Sequence, residues 1–403
     1  MTSSLPPRID RHQRTQLFAI LAIAVALRLI AALLLPDQNF PDAIGYRQVG
    51  QHLWSTGSLG MPYWMPLYPA LVGLTGAGWS QLTLDIGLST IAVWLIYSLV
   101  KEVFADETAA LLAALMTAIY PYFIFYSVVG LTESLFIALL LGAFLCWYRG
   151  AFTVAAILVV LSILTRPSIE PLAPVLILYF AAVIHRLPIA IVIRHLFVYL
   201  AVYISLMAPW WLHNYRDYGT FVRLNLASGF VFYSGNNPLN QTGGGINGQD
   251  FDEKAFTDIA DPVARDRALW NAGAAYVAEH PQRFLELAVL KFLRFWRLWP
   301  YVQGYATLPY VLASLASFVP ILILTVFYLA IWGWRDRVRI APVLAWGVYL
   351  TLVHMIFIGS LRYRLPLEPF MIMFAAIAVM RIDRWRRDYV RGSALFTPKF
   401  PEP

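Results

Sequence analysis

The sequence is poor in almost everything a soluble enzyme displays on its surface. Only 13% of its 403 residues are charged, while 60% are hydrophobic and 15% aromatic, so there is too little polar surface to coat a water-soluble globule of this size. A single cysteine, Cys146, lies inside an apolar run. No intramolecular disulfide can form, and thiol usage says nothing about compartment. No internal repeat suggests a transporter built from two related halves. No group of His, Cys, Asp and Glu has a clear metal-ligand spacing, which leaves the metal content unknown and a divalent cation open. The three consecutive glycines in Gly243-Gly-Gly-Ile-Asn-Gly248 fit no phosphate-loop pattern and mark a loop.

What fills the chain instead is apolar runs of about 20 residues, the length a helix needs to cross a bilayer. With no water in the hydrocarbon to satisfy backbone groups, such runs predict an all-α polytopic membrane protein. Spans are expected near 17–35, 80–103, 108–120, 131–148, 151–165, 169–185, 191–211, 306–334, 340–358 and 367–382, about ten in all. The first run follows a basic stretch (Arg8, Arg11, Arg14) but ends in Leu33-Leu-Leu-Pro36 without a small-residue cleavage site, so it reads as an uncleaved span.

Basic residues set the orientation. With both termini cytoplasmic, Lys101, Arg149, Arg186, Arg194, Arg335, Arg337, Arg339, Arg381, Arg384, Arg386, Arg387 and Arg391 all fall at inward tips. This scatter accounts for the net charge of +7 and the pI near 9.4 without a nucleic-acid surface, and no nucleic-acid partner is expected. The organisation read from this is a cytoplasmic tail (1–16), an N-terminal transmembrane module (17–211) with a first external loop (36–79), an external segment (212–305), C-terminal transmembrane helices (306–382) and a basic cytoplasmic tail (383–403).

The chemistry-bearing residues gather on the external side. Asp42 and Tyr46 lie four apart in Pro41-Asp-Ala-Ile-Gly-Tyr46 and share a helical face; Val49, Leu53 and Trp54 would lay that helix on the membrane. An aspartate at a helix start also suits capping, so a plain N-cap at the water boundary is the alternative for Asp42. Glu133 opens a fully apolar helix, where an ionised group needs a cavity or a partner, although the helix dipole alone would favour a carboxylate there. Arg166, Arg362 and Arg364 stand against the positive-inside rule at the depth of a lipid phosphate, which guanidinium pairs with in a bidentate way; snorkelling from helix ends would place arginines similarly. In the external segment, Asp261 and Pro262 start a helix that His280-Pro281 ends. A second helix, Arg283 to Trp299, mixes Lys291, Arg294 and Arg297 with aromatics, the pattern of a helix in the headgroup layer where Lys291 reaches a phosphate. His52 reads as polar surface.

In this order, Pro41-Asp-Ala-x-x-Tyr46, Pro66-Leu-Tyr-Pro69, Thr132-Glu-Ser-Leu-Phe136, Thr165-Arg-Pro167, Pro209-Trp-Trp-Leu-His-Asn-Tyr215, Gly235-Asn-Asn-Pro238, His280-Pro-Gln-Arg-Phe284 and Arg362-Tyr-Arg-Leu-Pro366, the chain resembles the GT-C superfamily of polyprenyl-phosphate-sugar-dependent glycosyltransferases. Within it, the likeness is to the bacterial branch of protein O-mannosyltransferases and the lipid A aminoarabinose transferase. The resemblance implies a monomeric bacterial inner-membrane enzyme that works on the external face among membrane lipids. It would pass a sugar from a polyprenyl-phosphate carrier to an acceptor that the sequence leaves unknown: a lipid, lipopolysaccharide, polysaccharide or protein hydroxyl. It implies Asp42 as the catalytic carboxylate. Many members carry a second acid directly after it, where this chain has Ala43, which leaves Glu133 as the second carboxylate. It also implies substrate binding by Tyr46, Arg166, Asn236, Asn237, Lys291, Arg362 and Arg364. Because phosphate leaves readily, one displacement with inversion suffices, Asp42 taking the acceptor proton while cations meet the departing phosphate. A lipid-linked sugar flippase or transporter is the reading from another class.

Overall fold

The computed structural model describes residues 11–35, 40–60, 63–76, 78–244, 251, 254–301 and 305–390. Arg8, Arg391, Met61, Pro62 and the 245–248 part of the glycine loop lie outside them. In chain order the helices are α1 (Arg11–Leu34), α2 (Pro41–Thr56), α3 (Leu67–Thr75), α4 (Trp79–Phe104), α5 (Glu107–Ile119), α6 (Pro121–Tyr126), α7 (Glu133–Tyr148), α8 (Phe152–Ile163), α9 (Ala173–Tyr179), α10 (Ile189–Tyr218), α11 (Ser228–Gly235), α12 (Lys254–Thr257), α13 (Pro262–Glu279), α14 (Pro281–Phe295), α15 (Leu308–Ile356), α16 (Leu361–Arg364) and α17 (Glu368–Val390). A 3₁₀ turn at Pro167–Ile169 precedes α9 and a π turn at Phe180–Ile184 follows it. Among the described residues there is no strand.

Four helices, α1, α4, α10 and α15, are long and apolar enough to cross a membrane. α5, α7 and α8 have 13, 16 and 12 residues, about 18–24 Å at 1.5 Å per residue against a hydrocarbon core of about 30 Å. By length and composition these four helices are the candidate spans among the described residues, and the expected count of about ten is not matched by ten helices of that length. α7 is apolar all round because it is buried all round: nearly every side chain from Glu133 to Tyr148 is covered, as expected of a central helix. It packs between α4 and α8, while α5 lies against α4 and α17. Ala109, Ala110, Ala113, Ala114 and Ala118 of α5 are all fully buried, small side chains that let helices approach closely where lipid offers no hydrophobic drive to associate. On the outside, Phe197, Leu200 and Ile204 of α10 stay exposed, an apolar surface suited to lipid.

The sequence separates 306–334 from 340–358, yet α15 is assigned as one helical stretch of 49 residues. Straight, it would reach about 74 Å. Both its ends nevertheless meet one segment, 281–299: Ser314 donates to the Leu298 carbonyl at 2.6 Å, and Lys291 Nζ donates to the Ile356 carbonyl at 3.0 Å. Its middle meets the opposite end of the bundle, where Arg339 donates to Val103 and Asp336 pairs with Arg381. The chain thus descends and returns within α15, bending near Trp334–Arg339.

The first loop is a helical hairpin. α2 lies on α3, and a Cβ on Gly50 would sit 2.2 Å from the Pro69 carbonyl oxygen, so only glycine allows this approach. That packing turns part of the expected membrane-facing stripe inward: Val49 is buried, while Trp54, whose indole donates to the Ala70 carbonyl at 2.8 Å, stays 58% exposed. α10 runs on to Tyr218, past the expected boundary at 211. Beyond it, Asp261 caps α13 by accepting from Val263 and Ala264.

Candidate active site

Three chain features bring the site together. Pro41 fixes the first position of α2, where its missing N–H costs nothing, and Asp42 follows in the first turn. The N-cap of α2 is Phe40, and the Asp42 carboxylate points across to another segment instead of capping its own helix. Gly130 adopts φ +71° with Gln81 Nε2 only 2.7 Å from where a Cβ would lie, a left-handed turn under steric pressure that favours glycine and delivers Glu133 to the first position of α7. Pro167 forces extended backbone on Arg166 (φ −149°, ψ 120°), which ends α8 and swings its side chain toward Glu133.

These residues converge on one guanidinium. Arg362 Nη1 lies 2.6 Å from Asp42 Oδ2, its Nε donates to Glu133 Oε1 and its Nη2 lies 3.5 Å from Glu133 Oε2. Arg166 Nη1 donates to Glu133 Oε1 at 2.7 Å. Two carboxylates and two guanidinia thus form a neutral cluster, as a low-dielectric site demands. Glu133 is fully buried, whereas the Asp42 side chain is 43% exposed. Arg362 stays charged far above neutral pH, because Glu133 and Asp42 outweigh the cost of its burial.

Tyr46 packs behind Asp42, against Trp64 and edge-on to Tyr68. Burial pushes its phenol up to about 12. Tyr68 donates to the buried Asp85 at 2.8 Å. Sequence reasoning missed Asp85, although an aspartate inside the expected span 80–103 is itself a signal. It also missed Tyr363, whose ring stacks on His354 at 4.5 Å and lies under the Arg166 guanidinium at 5.5 Å.

Four residues expected to bind ligand are engaged with protein groups here. Arg364 is fully buried, paired with Glu368 at 2.7 Å, bonded to the carbonyls of Phe295 and Arg297, and held 3.6 Å over the Phe318 ring. It fastens α16 to α14 and cannot reach a lipid phosphate. Lys291 is also fully buried, donating to Asn236 Oδ1 at 2.8 Å and to Ile356. The Asn236 amide donates to Phe232 and Ile356, and that of Asn237 to Tyr233 and Ser234. These side chains are spent on loop architecture. Nearby on the same segment, Arg294 lies 4.1 Å over the Tyr301 ring and donates to the Gly359 carbonyl at 3.3 Å, and Arg297 lies 5.4 Å from that ring.

Burial without a carboxylate partner brings Lys291 down to about 7 from its ordinary 10.5. Between these values the unfolded chain holds a proton the folded chain lacks, so stability rises with pH. The penalty is complete below about pH 7 and vanishes above 10.5. Thermal stability should climb across this window by up to about 1.4 kcal/mol per pH unit, and Lys291→Met should flatten the climb in melting curves at stepped pH.

Two cavities flank the cluster. One, about 630 Å³, has Arg362, Ser314 and Ser360 in a wall that is mostly aromatic and apolar, with Phe40 stacked on Tyr305 at 5.8 Å and Phe125 edge-on to both. The other, about 710 Å³, has Arg166 and Tyr363 in its wall and offers Asn225, Ser228, Trp270 and the Arg223–Glu170 pair. Among the described residues no three His, Cys, Asp or Glu side chains gather. Arg362 occupies the place between Asp42 and Glu133 that a shared divalent cation would take, so these carboxylates do not fit a metal while it stays there.

No family model matches the sequence, and no curated protein matches it. Solved structures do. An apo Archaeoglobus fulgidus oligosaccharyltransferase is 14% identical over 94% of this chain, with a TM-score of 0.57. The oligosaccharyltransferase AglB of that organism, solved with an inhibitory peptide and a dolichol-phosphate, is 13% identical over 96%, with a TM-score of 0.56. A complex of the enzyme with Zn and sulfate gives 15%, 94% and 0.54. This chain spans 52%, 52% and 51% of those three chains, about half their length. At this identity the likeness establishes the fold alone: the chain shares the fold of these oligosaccharyltransferase structures.

Proposed function

We propose that the protein is an inverting glycosyltransferase that moves a sugar from a polyprenyl-phosphate carrier to an acceptor hydroxyl on the external face of a bacterial inner membrane. The observation that carries this reading is the Asp42–Arg362–Glu133–Arg166 cluster, with an aromatic cavity at Arg362 and, at Arg166, a second cavity whose apolar walls carry Asn225, Ser228 and the Arg223–Glu170 pair. Mostly apolar walls around a single guanidinium suit a polyprenyl chain whose phosphate stops at Arg362; the cavity at Arg166, with its added polar groups, suits an acceptor. In the step itself, the acceptor oxygen bonds to the anomeric carbon as the carbon–oxygen bond to the carrier phosphate breaks. The bonding pair leaves with the phosphate, and Asp42 takes the acceptor proton. Asp42 is the carboxylate exposed enough to meet substrate. Glu133, sealed by two arginines, is a positioning residue in this reading.

Carrier release from a panel of undecaprenyl-phosphate sugars, measured with the purified protein in nanodiscs, tests the proposal. Consumption of a particular donor, with free carrier phosphate appearing alongside a glycosylated acceptor, is the expected result. Donor that crosses the bilayer chemically unchanged would instead identify a flippase.

A further inference from the structure

We infer that the end of the bundle opposite Asp42 holds a binding site for the phosphate headgroup of an anionic phospholipid. A cavity of about 1330 Å³, larger than either cavity beside the cluster, opens there between the end of α4, the π turn after α9, the bend of α15 and the last turns of α17. α4 separates the two ends by its 26 residues, about 39 Å.

The wall is cationic in excess of its own neutralisation. Arg381 pairs with Asp336 and Arg384 with Asp106, each at 2.7 Å, and Asp388 is the third acid in the lining. Against these, Arg339 gives only a hydrogen bond to the Val103 carbonyl at 3.4 Å. Arg186 and Arg335 also line the cavity and, among the described residues, make no ion pair. Five arginines facing three aspartates leave two positive charges for an anion. Arg186 moreover holds φ at +50°, a left-handed conformation that a non-glycine residue adopts at some cost.

The surroundings favour a lipid over a soluble anion. Phe327 and Ile331 line the cavity and are themselves exposed at 39% and 57%, an apolar approach in which acyl chains fit. Around it Trp334 is 79% exposed, and Trp385 and Tyr389 are both 64% exposed, the amphipathic rings that mark headgroup depth. Arginines gathered between helices at that depth recognise phosphate headgroups through charge and paired N–H donors.

The test uses the purified full-length protein, delipidated in detergent and then offered phosphatidylglycerol, phosphatidylethanolamine or inorganic phosphate, with retained ligand read by native mass spectrometry and stability by thermal melting. Phosphatidylglycerol should be retained at least about tenfold better than phosphatidylethanolamine and should raise the melting temperature. Arg186→Gln/Arg335→Gln should bring that retention down to the zwitterionic level, with its lipid-free melting temperature unchanged because neither side chain is ion-paired. Arg337→Gln, outside the cavity lining, should behave as wild type. Equal retention by the double variant, or the same loss in Arg337→Gln, overturns the site. Stabilisation by inorganic phosphate equal to that by phosphatidylglycerol overturns the lipid assignment in favour of a soluble phosphate ligand.

Discussion

Asp42→Asn should lower sugar transfer by about 10³-fold while leaving donor binding within a fewfold of wild type. The substitution keeps the side chain's size and leaves an oxygen for the Arg362 contact, now 2.6 Å long. It removes the basicity needed to take the acceptor proton. Because Asp42 is 43% exposed, the lost pair should cost only about 1 kcal/mol of stability or less, so inactivity without unfolding is the expected signature. Asp42→Glu should recover part of the rate, since it returns the carboxylate one methylene out of place. Single-turnover carrier release, paired with donor binding measured separately, distinguishes these outcomes. If Asp42→Asn transfers at the wild-type rate, Asp42 is a structural partner of Arg362 and no more.

Much of this site was legible because chemistry and topology leave few choices for a charge in an apolar chain. Asp42, Glu133, Arg166 and Arg362 stood out as ionisable groups next to apolar runs, and they do meet, across as many as 320 positions of sequence. What could not be read was which charges answer one another. Arg362 and Arg364 look alike in Leu361-Arg-Tyr-Arg364, yet the two-residue offset in a helical turn sends one to Glu133 and the other into the core with Glu368. Lys291 sits on a basic, aromatic helix of the kind that lies on membranes, but the face it occupies is the one α14 turns to Asn236 and Ile356. Period and composition describe a helix face; they do not say whether lipid or protein covers it. The same limit hid the α2 face, where close approach at Gly50 substitutes α3 for the bilayer.

Arg362→Ala should be both inactive and markedly less stable, because this guanidinium is the one that touches both acids. Without it Glu133 stays fully buried with Arg166 as its remaining cation, so the loss should approach, without exceeding, the roughly 3–5 kcal/mol of a buried pair broken from one side. Adding Glu133→Gln should return part of that stability, a coupling of about 1–3 kcal/mol, since the stranded charge goes with it. Activity should not return. Arg362→Lys separates the two duties of the residue: an ammonium keeps the charge and some stability, but a point donor cannot span from Asp42 Oδ2 to both oxygens of Glu133 as the planar fork does. Its transfer rate should therefore fall about 10²-fold or more while its melting temperature stays above that of Arg362→Ala. Additive losses in the Glu133 and Arg362 variants would mean that the two residues act apart. Coupled losses would mean that the start of α7 and the turn before α17 are held as one unit, with Asp42 aimed into the space beside them because Arg362 cannot release it without giving up its hold on Glu133.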